Sequence, residues 1–294
     1  MSKIADQHYL RSDQYRDSAN LDARIVLHRR FSTNTYGWYR WCFDRFDLPP
    51  RADILELGCG PAYLWHEMID RVQAEWTVSL SDLSIGMIGL AQKNLNGLNR
   101  HALPVRSAPE INMRHAMGQV PFRFEVIDAQ SIPFADAQFD AVIADHMLYH
   151  VPDRSRALKE IRRVLKPTGR FFCATNGHAH LRELHALMRR FDPDTDFGWG
   201  KTSAEQFSLE DGAELAPYFA DITVRRYPDT LIVTEVEPLV SYVFSMTTTK
   251  GLIDRYRADL TRFIQTEMQA AGSIRITKDS GMFICMPASR AGSP

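Results

Sequence analysis

No stretch of the 294-residue chain approaches the roughly 18 apolar residues that a membrane-crossing helix needs. Nor is either sign of charge in excess, with 35 Lys and Arg against 36 Asp and Glu. The balance leaves no field for steering onto nucleic acid or anionic lipid, so neither nucleic acid nor a membrane is an expected partner. Only four cysteines occur, Cys42, Cys59, Cys173 and Cys285, and they form no CxxC pair and no Cys/His zinc spacing. They are expected to be reduced, small apolar residues of a cytoplasmic protein, with no metal. Met1 to Leu10 has no apolar run of the secretory kind, so no leader is expected there. Internal repeats and low-complexity tracts are absent too. What is present is ordinary globular composition, 45% hydrophobic and 24% charged, in a length that suits one large α/β unit with additions or two small domains.

The centre of the chain alternates strand and helix. Asp53 to Leu57 is a short apolar run ending at Gly58, and Tyr63 to Asp70 suits a helix. Thr77 to Leu80 is a second strand closing at Asp82, after which Ser84 can cap a helix running to about Leu95. Phe122 to Ile127, Phe139 to Ala144 and Arg170 to Thr175 supply three more strands. Before the last of these, Ala157, Leu158, Ile161, Val164 and Leu165 form one helical stripe that Pro167 and Gly169 stop. Such alternation predicts a parallel sheet covered on both faces.

Three segments break the rhythm. Residues 1–50 form a helical and aromatic N-terminal segment in which Tyr36, Trp38, Tyr39, Trp41 and Phe43 crowd together. They suit core packing, and alternatively closure over a ligand. Gly97 to Pro121 is expected as a long inserted loop. Residues 176–246 are expected as a substrate lid, running from helix-like Leu181 to Arg190 through the loop Asp192 to Gly200 to alternating residues around Thr223 to Val236. That leaves 51–175 as the ligand-binding α/β core and 247–294 as a C-terminal helix with the last strands of the sheet, the end from Ala288 to Pro294 frayed.

The strongest motif is Glu56-Leu-Gly58-Cys-Gly60-Pro-Ala62, directly after the first strand. A glycine turn at the carboxyl end of the first strand lets a ligand approach the backbone near the switch point of the sheet. A dinucleotide fingerprint needs a third glycine where Tyr63 stands, and Glu56 repels phosphate. The same carboxylate attracts an ammonium group, so the turn suits a zwitterionic, cationic cofactor and disfavours a nicotinamide dehydrogenase.

With these features the chain resembles the class I S-adenosylmethionine-dependent methyltransferases, in particular the small-molecule group that includes ubiquinone and menaquinone C-methyltransferases. The family's glycine motif matches Glu56, Gly58 and Gly60, with Ala62 where a third glycine is common. Its ribose-binding acid matches Asp82 and its adenine-side acid matches Asp128, while Ile132 to Asp140 and Leu165 to Phe171 resemble its later motifs. The resemblance spans Ile54 to Thr175. It implies a doubly wound, mostly parallel seven-stranded sheet of Rossmann-like type, with S-adenosylmethionine as cofactor and a small-molecule methyl acceptor as partner, a homo-oligomer being left open. On this basis Asp82 holds both ribose hydroxyls, Asp128 and the Ala129 N–H hold the adenine, and Leu83 and Met87 sandwich it. Tyr15 and Asp145 complete the expected cofactor set.

Methyl transfer from a sulfonium needs alignment of the acceptor and exclusion of water, with a base where the acceptor must lose a proton. His146, Tyr149 and His150, directly after the fourth strand, are the catalytic candidates, although His150 equally suits a packing role before Pro152. His178 and His180 suit capping of the fifth strand. Arg24 and His28, one turn apart, are candidates for the cofactor carboxylate or an anionic acceptor, and Glu235 and Glu237 are lesser candidates for a lid base. The expected function is methyl transfer to a small apolar or aromatic metabolite at O, N or C. The alternative is a protein that binds the same cofactor for cyclisation or regulation, and the polar groups at the reacting end favour transfer over mere binding.

Overall fold

The computed structural model describes residues 5–98, 122–194, 203–246 and 252–287. The expected insertion from Gly97 to Pro121, most of the loop from Asp192 to Gly200, and the terminal stretch from Ala288 lie largely or wholly outside them.

A seven-stranded sheet organises the chain. The strands are β1 (Ala52–Leu57), β2 (Trp76–Asp82), β3 (Phe122–Val126), β4 (Phe139–Asp145), β5 (Leu165–Asn176), β6 (Phe219–Val233) and β7 (Ile274–Pro287), in the order β3-β2-β1-β4-β5-β7-β6. Pairing is parallel from β3 to β5, and β7 runs antiparallel to both β5 and β6. This is the expected mostly parallel, Rossmann-like sheet. Its order reverses between β1 and β4, and the carboxyl ends of those strands open on one side, where a ligand crevice belongs.

The two faces are covered by separate apolar layers. One buries Trp41, Phe43, Phe46, Trp65 and Trp76 with Ile54, Val78 and Leu80 of the central strands. The other packs Ala157, Leu158, Ile161 and Val164, the expected stripe of the helix Arg154–Val164, against Leu55, Val142 and Phe171. At a typical 1.5–3 kcal/mol for each large apolar side chain taken out of water, these layers hold the sheet and thereby fix its strand ends.

A third cluster lies over the carboxyl ends. Helix Ala19–Phe31 contributes Leu27 and Phe31, Arg182–Phe191 contributes Leu184 and Leu187, Val236–Phe244 contributes Leu239 and Val243, and Ile253–Ala271 contributes Leu260 and Ile264. The N-terminal segment and the later helices thus form one cap. The stretch 176–246 is not wholly an insertion, because Phe219–Val233 is the long edge strand of the main sheet, paired along β7. Arg225 and Arg226, on opposite faces of this strand, are both exposed, and such charge on an edge strand blunts it against further pairing and also hides it from a search for apolar runs.

Candidate active site

A cavity of about 1590 Å³ lies between the strand ends and the cap. Every expected cofactor residue lines it: Tyr15, Glu56, Gly58, Gly60, Asp82, Leu83, Met87, Asp128, Ala129 and Asp145. So do His146, Tyr149 and His150.

The floor is the turn after β1. Gly58 and Gly60 have φ of +71° and +54°, in the left-handed region that glycine enters without a steric penalty. A Cβ on Gly58 would also stand 2.7 Å from the Cβ of Met147, so the residue is excluded from bearing a side chain on two counts. Helix Tyr63–Glu67 that follows is only five residues long, shorter than Tyr63 to Asp70, because the chain passes at Met68 into a single 3-10 turn.

Glu56 is buried beneath this turn and accepts a hydrogen bond from the Trp65 indole N–H at 2.5 Å. Burial pushes its carboxyl up to about 8, against the pull of that N–H in the other direction. Asp82, at the end of β2, accepts from the backbone N–H of Gly60 at 3.0 Å and of Ser84 at 2.8 Å. Burial raises it to about 6 despite these bonds. Each carboxylate oxygen can accept a second bond, so both hydroxyls of a ribose remain within its capacity.

Asp128 is already engaged from two sides. Gln130 donates to it from its backbone and side chain, and Gln7 of the N-terminal segment donates its amide at 3.0 Å. These bonds hold its carboxyl below the usual range even though burial opposes them. Gln7 thus places an amide NH₂ on the carboxylate to which the resemblance assigns an adenine amino group.

The reacting end is built on the loop after β4. Asp145 is buried, and its Oδ2 accepts from the Trp38 indole N–H at 3.3 Å, whereas its Oδ1 has no hydrogen-bond partner among the described residues. Burial raises its carboxyl. His146 has φ of +53°, a left-handed conformation that costs a non-glycine residue free energy and turns its ring toward the cavity. The ring lies 5.3 Å from that of Trp38, and its Nε2 is 3.8 Å from the orphan Asp145 Oδ1. Burial lowers the His146 pKa, Asp145 working against that shift, so the imidazole is neutral near pH 7. Burial drives the Tyr149 hydroxyl well above its ordinary range.

His150 is turned to the cap. Its Nε2 meets the Tyr15 hydroxyl at 2.9 Å, and that hydroxyl also receives Arg24 at 3.4 Å. The Tyr15 carbonyl accepts from Ser84 Oγ at 2.7 Å. Arg24 itself is committed to the Ser245 carbonyl and hydroxyl. His28 faces His180, with ring centroids 6.1 Å apart. His178 is held by Ser208 at 3.1 Å in the capping role expected of it. Glu235 and Glu237 are not at the site: Glu235 is the N-cap and Glu237 lies in the first turn of helix Val236–Phe244, and both side chains are exposed in ion pairs with Arg30 and Arg257. Sequence alone did not reveal Gln7, Trp38 as a partner of Asp145, or Lys278, a buried lysine of β7 paired with Asp229 at 2.8 Å. All are long-range contacts with no local periodicity to announce them.

Fold and cavity together define a Rossmann-like α/β protein in which the glycine turn and the strand-end acids share one cavity with a cluster of aromatic and histidine side chains. Residues 55–173 match the methyltransferase domain family. This part of the chain is similar to class I S-adenosylmethionine-dependent methyltransferase domains, among them those of the quinone C-methyltransferases. Against the demethylmenaquinone methyltransferase of Desulfitobacterium hafniense the identity is 29% over 45% of this chain and 46% of the relative. Against that of a Geobacillus species it is 28% over 75% and 88%. The chain spans about half the length of the first curated relatives it matches. Among solved structures, phosphoethanolamine N-methyltransferase 2 of Haemonchus contortus, bound to phosphomonomethylethanolamine and S-adenosylhomocysteine, shares the fold. Its TM-score is 0.54 and its identity 17%, over 96% of this chain and 60% of that one.

Proposed function

We propose that the chain transfers the sulfonium methyl group of S-adenosylmethionine to a small aromatic or apolar acceptor held beneath the cap. The observation that carries this is the continuity of the cavity. A single small-molecule site is typically about 300–1,000 Å³, and this cavity of about 1590 Å³ joins the glycine turn to a chamber lined by Trp38, His146, Tyr149, Tyr227 and Tyr242. Cofactor and acceptor both have room there.

The residues present fit the cofactor. Gly58 and Gly60 admit it to the backbone, Asp82 holds the ribose, and Glu56 and the unpartnered Asp145 Oδ1 offer negative charge to the ammonium and sulfonium end. The cofactor, when bound, supplies an electrophilic methyl on a good leaving group. The chain contributes alignment, exclusion of water by the cap, and removal of a proton. His146 is the base best placed for that removal: it is neutral, it faces the chamber, and Asp145 can stabilise the imidazolium it becomes. Tyr149 positions the acceptor through its neutral hydroxyl, and His150 secures Tyr15 rather than reaching the chemistry. As the acceptor atom bonds to the methyl carbon, the carbon–sulfur bond breaks with its electron pair going to sulfur, and the acceptor proton goes to His146.

The test combines radiolabelled S-adenosylmethionine with a panel of small phenols, aromatic acids and amines. Label should pass to a small molecule with the native protein. His146→Gln should lose on the order of 100-fold or more in turnover with cofactor affinity nearly unchanged. Cofactor binding without transfer to any acceptor class would instead support a binding or cyclising role.

A further inference from the structure

Part of the chamber lining is built from His28, His180 and Lys278, contributed by helix Ala19–Phe31, the loop after β5, and β7. The rings of His28 and His180 stack at 6.1 Å, and Tyr242 meets His28 edge-on at 5.8 Å. His28 Nδ1 is shut off from solvent with no hydrogen-bond partner among the described residues. His180 Nδ1 lies 3.4 Å from Ser280 Oγ. Lys278 covers the Tyr227 ring at 5.0 Å and pairs with Asp229, whose buried side chain is already bound to Ser32 and the Asn34 N–H.

The charge pattern of this wall is one-sided. The groups that act most strongly on His28 are Lys278, His180, His146 and Arg24, and those on His180 are His146, Lys278 and His185. Every one is a cation or becomes one on protonation. Of the nearby acids, Asp229 is consumed by Lys278, Asp145 faces His146, and Asp279 offers His180 only a backbone contact. Glu205 also lines the cavity but does not stand among the groups acting on either ring. Burial and these neighbours keep His28 and His180 neutral, well below their ordinary pKa. A cationic acceptor would be repelled here. A wholly apolar one would desolvate the polar groups that line this wall, the half-buried His28 and His180 rings and the Lys278 ammonium, at a cost of about 1–3 kcal/mol for each polar group left without a partner. An anion gives those groups a partner and lets an imidazole take up a proton next to it.

We propose that the acceptor carries an anionic oxygen group, a carboxylate or an ionised phenol, bound against His28, His180 and Lys278, with its flat body against the aromatic lining that Trp38 and Tyr242 supply. This rests on the methyltransferase reading of the same cavity. It adds a specificity device: with the anion anchored on these three groups, the atom to be methylated is the one left facing His146.

The protein is first titrated with S-adenosylhomocysteine, and the loaded protein is then titrated with benzoate, 4-nitrophenolate, benzamide and benzylammonium. Either anion, or both, should bind at least about tenfold tighter than the amide and the cation, a difference of about 1.4 kcal/mol. Which anion leads distinguishes a carboxylate anchor from a phenolate anchor. Anion binding should take up protons, seen as a dependence of the calorimetric heat on buffer ionisation enthalpy. His28→Leu and His180→Leu should erase the preference while leaving S-adenosylhomocysteine affinity unchanged, and that retained affinity shows that each variant is folded. If S-adenosylhomocysteine itself does not bind, the methyltransferase reading falls and this proposal with it. If it binds but benzylammonium or benzamide equals the anions, or the leucine variants keep the preference, the anionic anchor alone is overturned.

Discussion

Glu56 couples protons to folding. Its carboxyl moves from 4.5 to about 8 on burial, so the folded state holds more protons than the unfolded one between those values. The resulting stability is fully present below pH 4.5 and is lost as pH rises through 8. His28 and His180 act with the opposite sign: both are lowered by burial, and their contribution is lost as pH falls below about 6.5, where the unfolded imidazoles charge. His146 and His185 are lowered in the same way, and only by about pH 7.5 are the unfolded imidazoles neutral too, after which proton release from Glu56 dominates. The melting temperature of the unliganded protein should therefore fall between about pH 7.5 and 8.5. Glu56→Gln, which keeps an acceptor for Trp65, should flatten that fall, and an unchanged slope would place the titrating group elsewhere. Asp82 makes a plainer prediction. Its replacement by Ala should weaken S-adenosylhomocysteine binding by about 1.5–3 kcal/mol, the range for hydrogen bonds to a charged group, with circular dichroism unaltered. Unchanged affinity would reduce Asp82 to a brace for the glycine turn.

At the scale of elements, the N-terminal segment is fastened to the cofactor side at three points: Gln7 on Asp128, Tyr15 on His150, and Ser84 on the Tyr15 carbonyl. Gly86 makes the third possible, since a Cβ there would stand 2.2 Å from the Arg16 carbonyl oxygen. Gly86→Ala should lift the segment, speeding S-adenosylhomocysteine dissociation in stopped-flow displacement several-fold while the sheet, read by circular dichroism, stays intact. Tyr15→Phe should act in the same direction but less. None of this clamp is visible in the sequence, where Gly86 is one small residue in Ser81 to Met87 and Gln7 belongs to no pattern. The strands were visible for a physical reason. β1, β2, β4 and β5 are buried on both faces and read as continuous apolar runs, and the stripe from Ala157 to Val164 meets one face of the sheet at helical spacing. The site acids were visible because strand ends and the glycine turn bring them together in a fixed order. β6 was only partly visible, since an edge strand alternates with charge, and its membership of the sheet depends on β7, some fifty residues further on. The wall of His28, His180 and Lys278 comes from three distant elements, and only the folded chain assembles it.

For the whole molecule, cofactor binding should register as stability because the turn, β2 and the cap all meet at one cavity. At a ligand concentration about 100 times Kd, linkage gives about 2.7 kcal/mol, or a rise of roughly 5 to 10 °C in melting temperature for a chain of this size. S-adenosylhomocysteine should produce that rise, and NAD should produce none. The cap is also tied to the far edge of the sheet. Ser32 bridges to Leu231, the Thr33 N–H donates to the Thr230 carbonyl, and Ser32 and Asn34 both bond Asp229, 197 and 195 residues later in the chain. This anchorage imposes an order on synthesis. At ~5–20 residues per second, a ribosome needs roughly 10 to 40 s after making Ser32 to deliver the strand that receives it. Through that interval Trp38 and Trp41 have left the tunnel without Tyr227, whose ring will meet both edge-on, so the newborn chain is sticky at its front end until its back end arrives. Protease should therefore cut the 31–46 region in chains stalled before residue 229 and spare it in chains stalled well past residue 287.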